Sequence, residues 1–167
     1  MDIEYTHTIK FRFLDASVIV KLVIEEPGSE MVKGILGEGT CRTTQYCIYE
    51  AYGVIKRKWE KEEIDNQKYF KAMYLLSAFI RNKQIRIVDV FLEDISDFKE
   101  AKRIVEQSTN KNGKCLIDLS DALQIISMKK GFYSLLGGES KPVLITADND
   151  LGEVAKKEGL SVEVVKG

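Results

Sequence analysis

Short, uninterrupted apolar runs alternate with longer segments of helical periodicity along this sequence. "VLIT" is the clearest continuous apolar run, and the strand-like "FRFLD" leads directly into "ASVIVKLVIEE", whose apolar residues recur every three or four positions. Strands that are apolar along their whole length are typical of parallel sheets, because helices cover both faces of such sheets. The sequence therefore predicts an α/β fold, a three-layer α/β/α sandwich with a central parallel β-sheet.

The predicted elements follow one another with short connections. Strands are predicted in "FRFLD", "TCRTT", "IRIVDVF", "VLIT" and "SVEVV". Helices are predicted in "ASVIVKLVIEE", "SEMVKGILGEG", "QYCIYEAYGVIKRKWEKE", about 63–82, "EDISDFKEAKRIVEQ", "CLIDLSDALQI" and "DLGEVAKKEG", and "GFYSLLGGESKP" is predicted as a loop. With 167 residues, 44% of them hydrophobic, the chain is expected to form one domain at 11–167 after an N-terminal extension at 1–10.

Composition excludes several classes of protein and site. Lys plus Arg (25) nearly equals Asp plus Glu (26), so any site for a polyanion must be local. Cys41, Cys47 and Cys115 are odd in number and lack CxxC spacing, which argues against a disulfide framework and a cysteine zinc site and fits a cytoplasmic protein. His7 is the only histidine, which disfavours histidine-based catalysis. No apolar run approaches the roughly 18 residues that span a bilayer, so no membrane association is expected.

Acidic residues follow two of the predicted strands. Asp15 comes directly after "FRFL", and Asp148 follows "VLIT" after one intervening residue. The carboxyl ends of parallel strands lie at one edge of a sheet, where open α/β sheets bind their ligands. Asp121 lies in the first turn of its helix, and Glu50 lies in a helix whose neighbours are mostly apolar. Carboxylates about 4 Å apart would repel by roughly 4 kcal/mol per pair at an effective dielectric near 20, and a divalent cation would relieve that repulsion.

Each of these acids also has a purely structural interpretation. Asp15 could be the N-cap of the helix that follows it, and Asp121 could form a capping box with Asp118. Glu50 could be a solvated helix residue. Asp89 also ends an apolar strand and is interpreted as structural. The coincidence of the acids at one sheet edge favours a metal site over these separate explanations.

Four motifs together carry a family resemblance. "FLDASVIVKL", "YCIYEAYGVI", "SDALQI" and "LITADNDLGEVAKKEGLSVEVV" occur in this order between about Phe11 and Val165, and in this respect the chain resembles PIN-domain ribonucleases, of the kind found in VapC-type toxins. The resemblance implies that four acids bind Mg²⁺ or Mn²⁺ and catalyse hydrolysis, namely Asp15, Glu50, Asp121 and Asp148. Asp118 is interpreted as a helix cap, and Asp150 as either a fifth acidic ligand or the cap of the last helix. Of these two acids, Asp150 is the one expected among the metal ligands.

The resemblance implies a metal-dependent endoribonuclease that leaves a 5′ phosphate and a 3′ hydroxyl. Ser17 and Thr146 would orient the carboxylates by hydrogen bonding. The implied partners are RNA, a second copy of the chain and, if the protein is a toxin, a small antitoxin. The ten residues before the first motif and the lengthened segment "GFYSLLGGES" depart from the family pattern.

Two other functions fit parts of the sequence. A PIN domain can be a non-catalytic module for RNA binding, assembly or RNA maturation, although such degenerate members lose acids and here all four positions are filled. A phosphatase with an aspartyl nucleophile would require DxD after the first strand, where this chain has "DAS" with Ser17.

A basic stretch that includes an aromatic residue follows Glu50. "KRKWEKE" contributes Lys56, Arg57, Lys58 and Trp59, which could guide RNA phosphates towards the acids, with Trp59 stacking on a base. The alternative is a solvated helix end with Trp59 packed in the core or at a dimer contact.

Overall fold

The computed structural model describes residues 10–38, 40–88 and 95–166. The extension up to residue 9, with His7, and the segment containing Asp89 lie outside the described residues.

A five-stranded parallel sheet forms the centre of the fold. The strands are β1 (Phe11–Leu14), β2 (Thr40–Thr44), β3 (Ile85–Val88), β4 (Val143–Thr146) and β5 (Ser161–Val164), in the order β3-β2-β1-β4-β5. Every pairing in this sheet is parallel. From β1 the chain adds β2 and then β3 on one side. It then crosses to the other side of β1 and adds β4 and β5, so the direction of strand order reverses between β1 and β4. Open α/β sheets bind ligands at such a switch point, outside the carboxyl ends of the strands.

Helices cover both faces of the sheet. They are α1 (Ala16–Val23), α2 (Ser29–Gly37), α3 (Gln45–Glu60), α4 (Asn66–Arg81), α5 (Ile95–Gln107), α6 (Leu119–Lys129) and α7 (Asn149–Lys157). The four helices α1, α2, α3 and α4 pack on one face of the sheet and form one hydrophobic core with it. The three helices α5, α6 and α7 pack on the other face and form a second core. Within β1, Leu14 belongs to the first core and Phe13 to the second, because successive side chains of a strand point to opposite faces. The predicted three-layer α/β/α sandwich is confirmed.

The segment between α6 and β4, predicted as a loop, contains regular turns and packs against the sheet. Two short 3₁₀ turns, Gly131–Leu135 and Gly138–Ser140, occupy most of it. The ring of Tyr133 packs edge-on against Phe13 with 4.9 Å between ring centroids, and its hydroxyl accepts a hydrogen bond from Arg42 Nε at 3.2 Å. Contacts of this kind are tertiary, so turn residues in the sequence did not indicate them.

No helix in the described ranges is long and apolar enough to cross a membrane.

Candidate metal and catalytic site

A cavity of about 840 Å³ opens at the carboxyl ends of β1 and β4. Five of the carboxylates that line it come from four different parts of the chain, namely Asp15, Glu50, Asp118, Asp121 and Asp148. The four acids predicted from the sequence therefore surround one cavity at the switch point of the sheet, and Asp118 joins them.

Asp15 is held at the base of this cavity by hydroxyl groups. It follows β1, caps α1 and is almost fully buried. Its Oδ2 accepts hydrogen bonds from Ser17 Oγ at 2.5 Å and from Thr146 Oγ1 at 3.0 Å. Burial raises the pKa of Asp15 above its ordinary value, while these hydrogen bonds act in the opposite direction.

The same two hydroxyl groups connect Asp15 to the segment that carries Asp148. Ser17 Oγ accepts a hydrogen bond from the backbone N–H of Ala147 at 2.9 Å, and Thr146 Oγ1 accepts one from the N–H of Asp148 at 2.9 Å. Asp148 in turn caps α7, and its Oδ1 accepts from the N–H groups of Asp150 and Leu151 at 2.8 and 3.1 Å. Two strand ends are thereby fixed relative to each other through side chains.

Asp118 and Asp121 form the capping box that the sequence left as an alternative. Asp118 Oδ1 accepts from the N–H of Asp121 at 3.1 Å, and Asp121 Oδ2 accepts from the N–H of Asp118 at 3.0 Å. Asp121 also lines the cavity, so capping and membership of the acidic group coexist in one side chain. Burial, followed by the charges of Asp118, Asp15 and Glu50, raises the pKa of Asp121 to about 8.

Glu50 projects from α3 towards the same group of acids. Its side chain is half-buried, and its Oε2 lies 3.5 Å from Ser120 Oγ, which also donates to Asp118 Oδ1 at 2.7 Å. Burial raises the pKa of Glu50, and the charges of Asp15 and Asp118 add to the increase. A carboxyl group with a raised pKa is a stronger base once it is ionised.

The five carboxylates have no direct ion-pair partner in the part of the chain that the structure describes. Among the described residues, none of the five forms a salt bridge with lysine or arginine. Among the described residues, no three Asp, Glu, His or Cys side chains lie close enough together to coordinate one metal ion directly. Mg²⁺ usually keeps several water ligands and binds only one or two carboxylates, so this spacing is compatible with such an ion. A purely oxygen donor set with excess negative charge fits Mg²⁺ or Mn²⁺.

Asp150 is not part of this group. It lines a smaller depression beside the cavity, together with Ser17, Ala147, Asp148 and Asn149. Its backbone N–H is bound to Asp148, and its side chain belongs to the first turn of α7. The structure instead brings Asp118 into the cavity. The sequence did contain a signal for Asp118, because it lies three residues before Asp121 at the start of the same helix and is therefore expected on the same side of it.

Only part of the predicted basic stretch reaches the cavity. Lys58 lines it, whereas Lys56 pairs with Glu60 on the surface of α3. The Trp59 ring stacks on Tyr69, with centroids 4.7 Å apart, and its Nε1 donates to Asn66 at 2.7 Å, which agrees with the alternative of a packed tryptophan. Arg57 is exposed and does not line the cavity. Lys21 and Lys114, which sequence reasoning missed, line it as well.

Comparison with known proteins identifies a family. A family model described as "PIN domain" matches residues 12–157. Among curated protein sequences, none matches the chain at a significant level. A similar solved structure is that of VapBC2 from Rickettsia felis bound to a DNA fragment from its promoter. The matched chain is 15% identical, with a TM-score of 0.57, and the alignment covers 93% of this chain and 99% of that one. At this identity the similarity describes the fold.

Proposed function

The chain belongs to the PIN domain family, and we propose that it is a cytoplasmic, divalent-metal-dependent endoribonuclease whose nuclease domain spans residues 11–167. PIN domains are generally nucleases, which supports hydrolysis of a phosphodiester bond. The observation that carries the proposal is the group of five carboxylates at one end of the cavity, none of which forms a salt bridge with a described lysine or arginine. If these acids only capped helices or faced solvent, nothing would require the acids that follow β1 and β4 and those of α3 and α6 to line the same cavity.

In this proposal Asp15, Asp121 and Asp148 hold Mg²⁺ or Mn²⁺, directly or through water. When bound, the ion supplies a water of lowered pKa and neutralises charge on the phosphoryl oxygens. Glu50 orients the attacking water and accepts its proton on the side-chain carboxylate, a role that its raised pKa favours. Ser17 and Thr146 keep Asp15 Oδ2 in a fixed orientation through the hydrogen bonds described above. Cleavage leaves a 5′ phosphate and a 3′ hydroxyl.

We also propose two protein partners. The similar structure from Rickettsia felis contains VapBC2, and on that analogy this chain would be a toxin whose acidic cavity is blocked by a small antitoxin. A second copy of the chain would pack on aromatic side chains that α3 and α4 expose, namely Tyr49, Tyr52, Phe70 and Tyr74. Large apolar side chains exposed on neighbouring helices are typical of protein interfaces.

The direct test is cleavage of an end-labelled single-stranded RNA by the purified protein. We expect cleavage in Mg²⁺ or Mn²⁺, its loss after chelation and its return when metal is added back. The labelled ends of the products distinguish 5′ phosphate from 5′ hydroxyl. Cleavage that persists after thorough chelation would refute metal dependence. Binding of RNA without cleavage in either metal would favour the non-catalytic RNA-binding module.

A further inference from the structure

The cavity has a second, basic end opposite its acidic end. The residues through which α1 lines it are Ala16, Ser17, Val20 and Lys21, and those of α3 are Glu50, Val54 and Lys58. On α1 the pair Ala16 and Ser17 is followed one turn later by the pair Val20 and Lys21, and on α3 the three positions are four residues apart, so each set shares one face of its helix. Going away from the acidic end, each helix contributes first a valine and then a lysine to the wall of the cavity. These are Val20 and Lys21 on α1, and Val54 and Lys58 on α3. With a rise of 1.5 Å per residue, Lys58 lies about 12 Å beyond Glu50 along α3.

A single carboxylate lies between the two lysines. Glu26 Oε1 is 2.8 Å from Lys58 Nζ, and its Oε2 is 3.6 Å from Lys21 Nζ. Lys21 Nζ also donates to the carbonyl oxygen of Pro27 at 2.8 Å, and its side chain is only 13% exposed. Two ammonium groups therefore converge on Glu26 inside the cavity, and Lys58 Nζ has a second, more distant partner in Glu63 Oε2 at 3.6 Å.

The loop that carries Glu26 is held in place. The N–H of Glu26 donates to Ser29 Oγ at 2.9 Å, and that hydroxyl donates to the carbonyl oxygen of Ile24 at 3.2 Å. Gly28 has a φ of +90°, and a Cβ at this position would lie 2.9 Å from the carbonyl oxygen of Lys166. The carboxylate is thus presented to the lysines by a fixed backbone.

We propose that Lys21 and Lys58 form a binding site for a non-scissile phosphate of single-stranded RNA, and that Glu26 occupies this site in the free protein. This inference rests on the proposed function, because it assumes that the scissile phosphate binds at the acidic end. Val54, which is partly exposed, provides an apolar surface for the sugar or base between the two phosphates, whereas Val20 is almost fully buried beneath it in the core. An incoming phosphate would take over both ammonium groups and leave Glu26 to solvent.

Binding of a fluorescein-labelled single-stranded RNA in chelator, measured at several KCl concentrations, tests the site apart from catalysis. We expect Lys21→Met and Lys58→Met each to weaken binding several-fold. Each should also reduce the slope of log affinity against log salt by about 0.7, the value for one phosphate contact on a single strand. Lys33→Met is the matched control, because Lys33 pairs with Glu25 and Glu30 and does not line this cavity.

Glu26→Gln should tighten RNA binding. Glu30→Gln is its control and should have a much smaller effect, because it removes an equal charge from a carboxylate that pairs with Lys33 outside the cavity. A gain in affinity by a Glu26→Gln variant that melts like the wild type cannot be ascribed to misfolding, so this variant keeps the proposal falsifiable if a lysine variant is unstable. Unchanged salt slopes in both lysine variants, or no tightening in Glu26→Gln, would overturn the proposal.

Cleavage assays separate this inference from the proposed function. Loss of a contact to a non-scissile phosphate should raise KM and leave kcat nearly unchanged. If the wild type cleaves RNA and both lysine variants keep its KM, the phosphate site is wrong and the nuclease stands. If the wild type binds RNA with a lysine-dependent salt slope but cleaves none in Mg²⁺ or Mn²⁺, the nuclease is wrong and the phosphate site stands.

Discussion

At the scale of single residues, the aspartates of the cavity combine two roles that sequence reasoning treated as alternatives. Asp15, Asp118 and Asp148 are each the N-cap of a helix, and Asp121 completes the capping box of α6. The N-terminal ends of α1, α6 and α7 therefore meet at the cavity, and the partial positive charge of such ends favours carboxylates. The pKa of Asp121 is nevertheless raised to about 8, first by burial and then by the charges of Asp118, Asp15 and Glu50.

The raised pKa of Asp121 predicts an unusual pH dependence of stability without metal. Between the ordinary value of 3.8 and about 8, the folded protein retains a proton that the unfolded chain has lost. The folded state then binds more protons, so the free energy of unfolding falls as pH rises through this window. Asp121→Asn has no such proton. Its melting temperature relative to the wild type should therefore rise with pH across the window in chelator.

Asp65→Asn provides the control for this measurement. Asp65 caps α4, accepts from the N–H of Lys68 at 2.7 Å and does not line the cavity. Because Asp65→Asn leaves Asp121 in place, the melting temperature of this variant should fall across the same pH window as that of the wild type does. Parallel curves for Asp121→Asn and the wild type would contradict the raised pKa.

At the scale of elements, the ends of strands and the starts of helices build the site. Asp148 illustrates this, because its Oδ1 caps α7 while the residue lines the cavity beside the end of β4. Asp148→Asn should preserve the cap, whereas Asp148→Ala should lose about 1 kcal/mol of stability with it. For a chain of this length that loss lowers the melting temperature by about 2–4 °C.

Both variants of Asp148 should lose RNA cleavage, since both lose a carboxylate of the proposed metal site. Thermal melting in chelator and a cleavage assay, applied to the same preparations, test this pattern. If Asp148→Asn cleaved RNA like the wild type, Asp148 would be a cap alone.

Much of this arrangement could be predicted from the sequence because it is local or periodic. Apolar runs identified the strands of the sheet, and the alternation with helices predicted parallel pairing. Asp15 and Asp148 could be predicted at one edge because each directly follows or nearly follows such a run. The capping box of Asp118 and Asp121 was visible as a spacing of three. These signals depend only on neighbouring residues.

The remaining features depend on contacts between distant parts of the chain. Lys21 reaches the cavity only because α1 packs beside α3, so no local pattern distinguished it from a surface lysine. Trp59 was a candidate for base stacking until α4 supplied Tyr69 as its partner. Tyr46 packs against the second hydrophobic core and Tyr69 stacks on Trp59, so the sequence alone could not separate these two tyrosines from the exposed aromatic residues of α3 and α4.

At the scale of the whole molecule, the proposed dimer places the exposed aromatic residues of α3 and α4 in a shared interface. Sedimentation should show a dimer at micromolar concentration, and the double variant Phe70→Glu, Tyr74→Glu should be a monomer, because charge is costly in a buried interface. Leu135→Glu is the control, since Leu135 is 83% exposed and lies in a 3₁₀ turn away from α3 and α4 in the chain. A monomeric wild type, or a double variant that still dimerises, would contradict this interface.

The central claim is that the protein gathers its carboxylates to bind a catalytic metal at some cost to its metal-free stability. Melting temperature with and without Mg²⁺, measured together with RNA cleavage for the wild type, Asp121→Asn and Asp65→Asn, tests it most directly. At a hundredfold excess of Mg²⁺ over its dissociation constant, the wild type should gain about 2.7 kcal/mol of stability. Asp65→Asn should gain equally and cleave normally. Asp121→Asn should gain much less and lose about a hundredfold or more in cleavage rate, and in chelator it should melt at the same temperature as the wild type or a few degrees higher. An Asp121→Asn variant that cleaves RNA normally and keeps the full metal-dependent shift would contradict the account and leave Asp121 as a capping residue only.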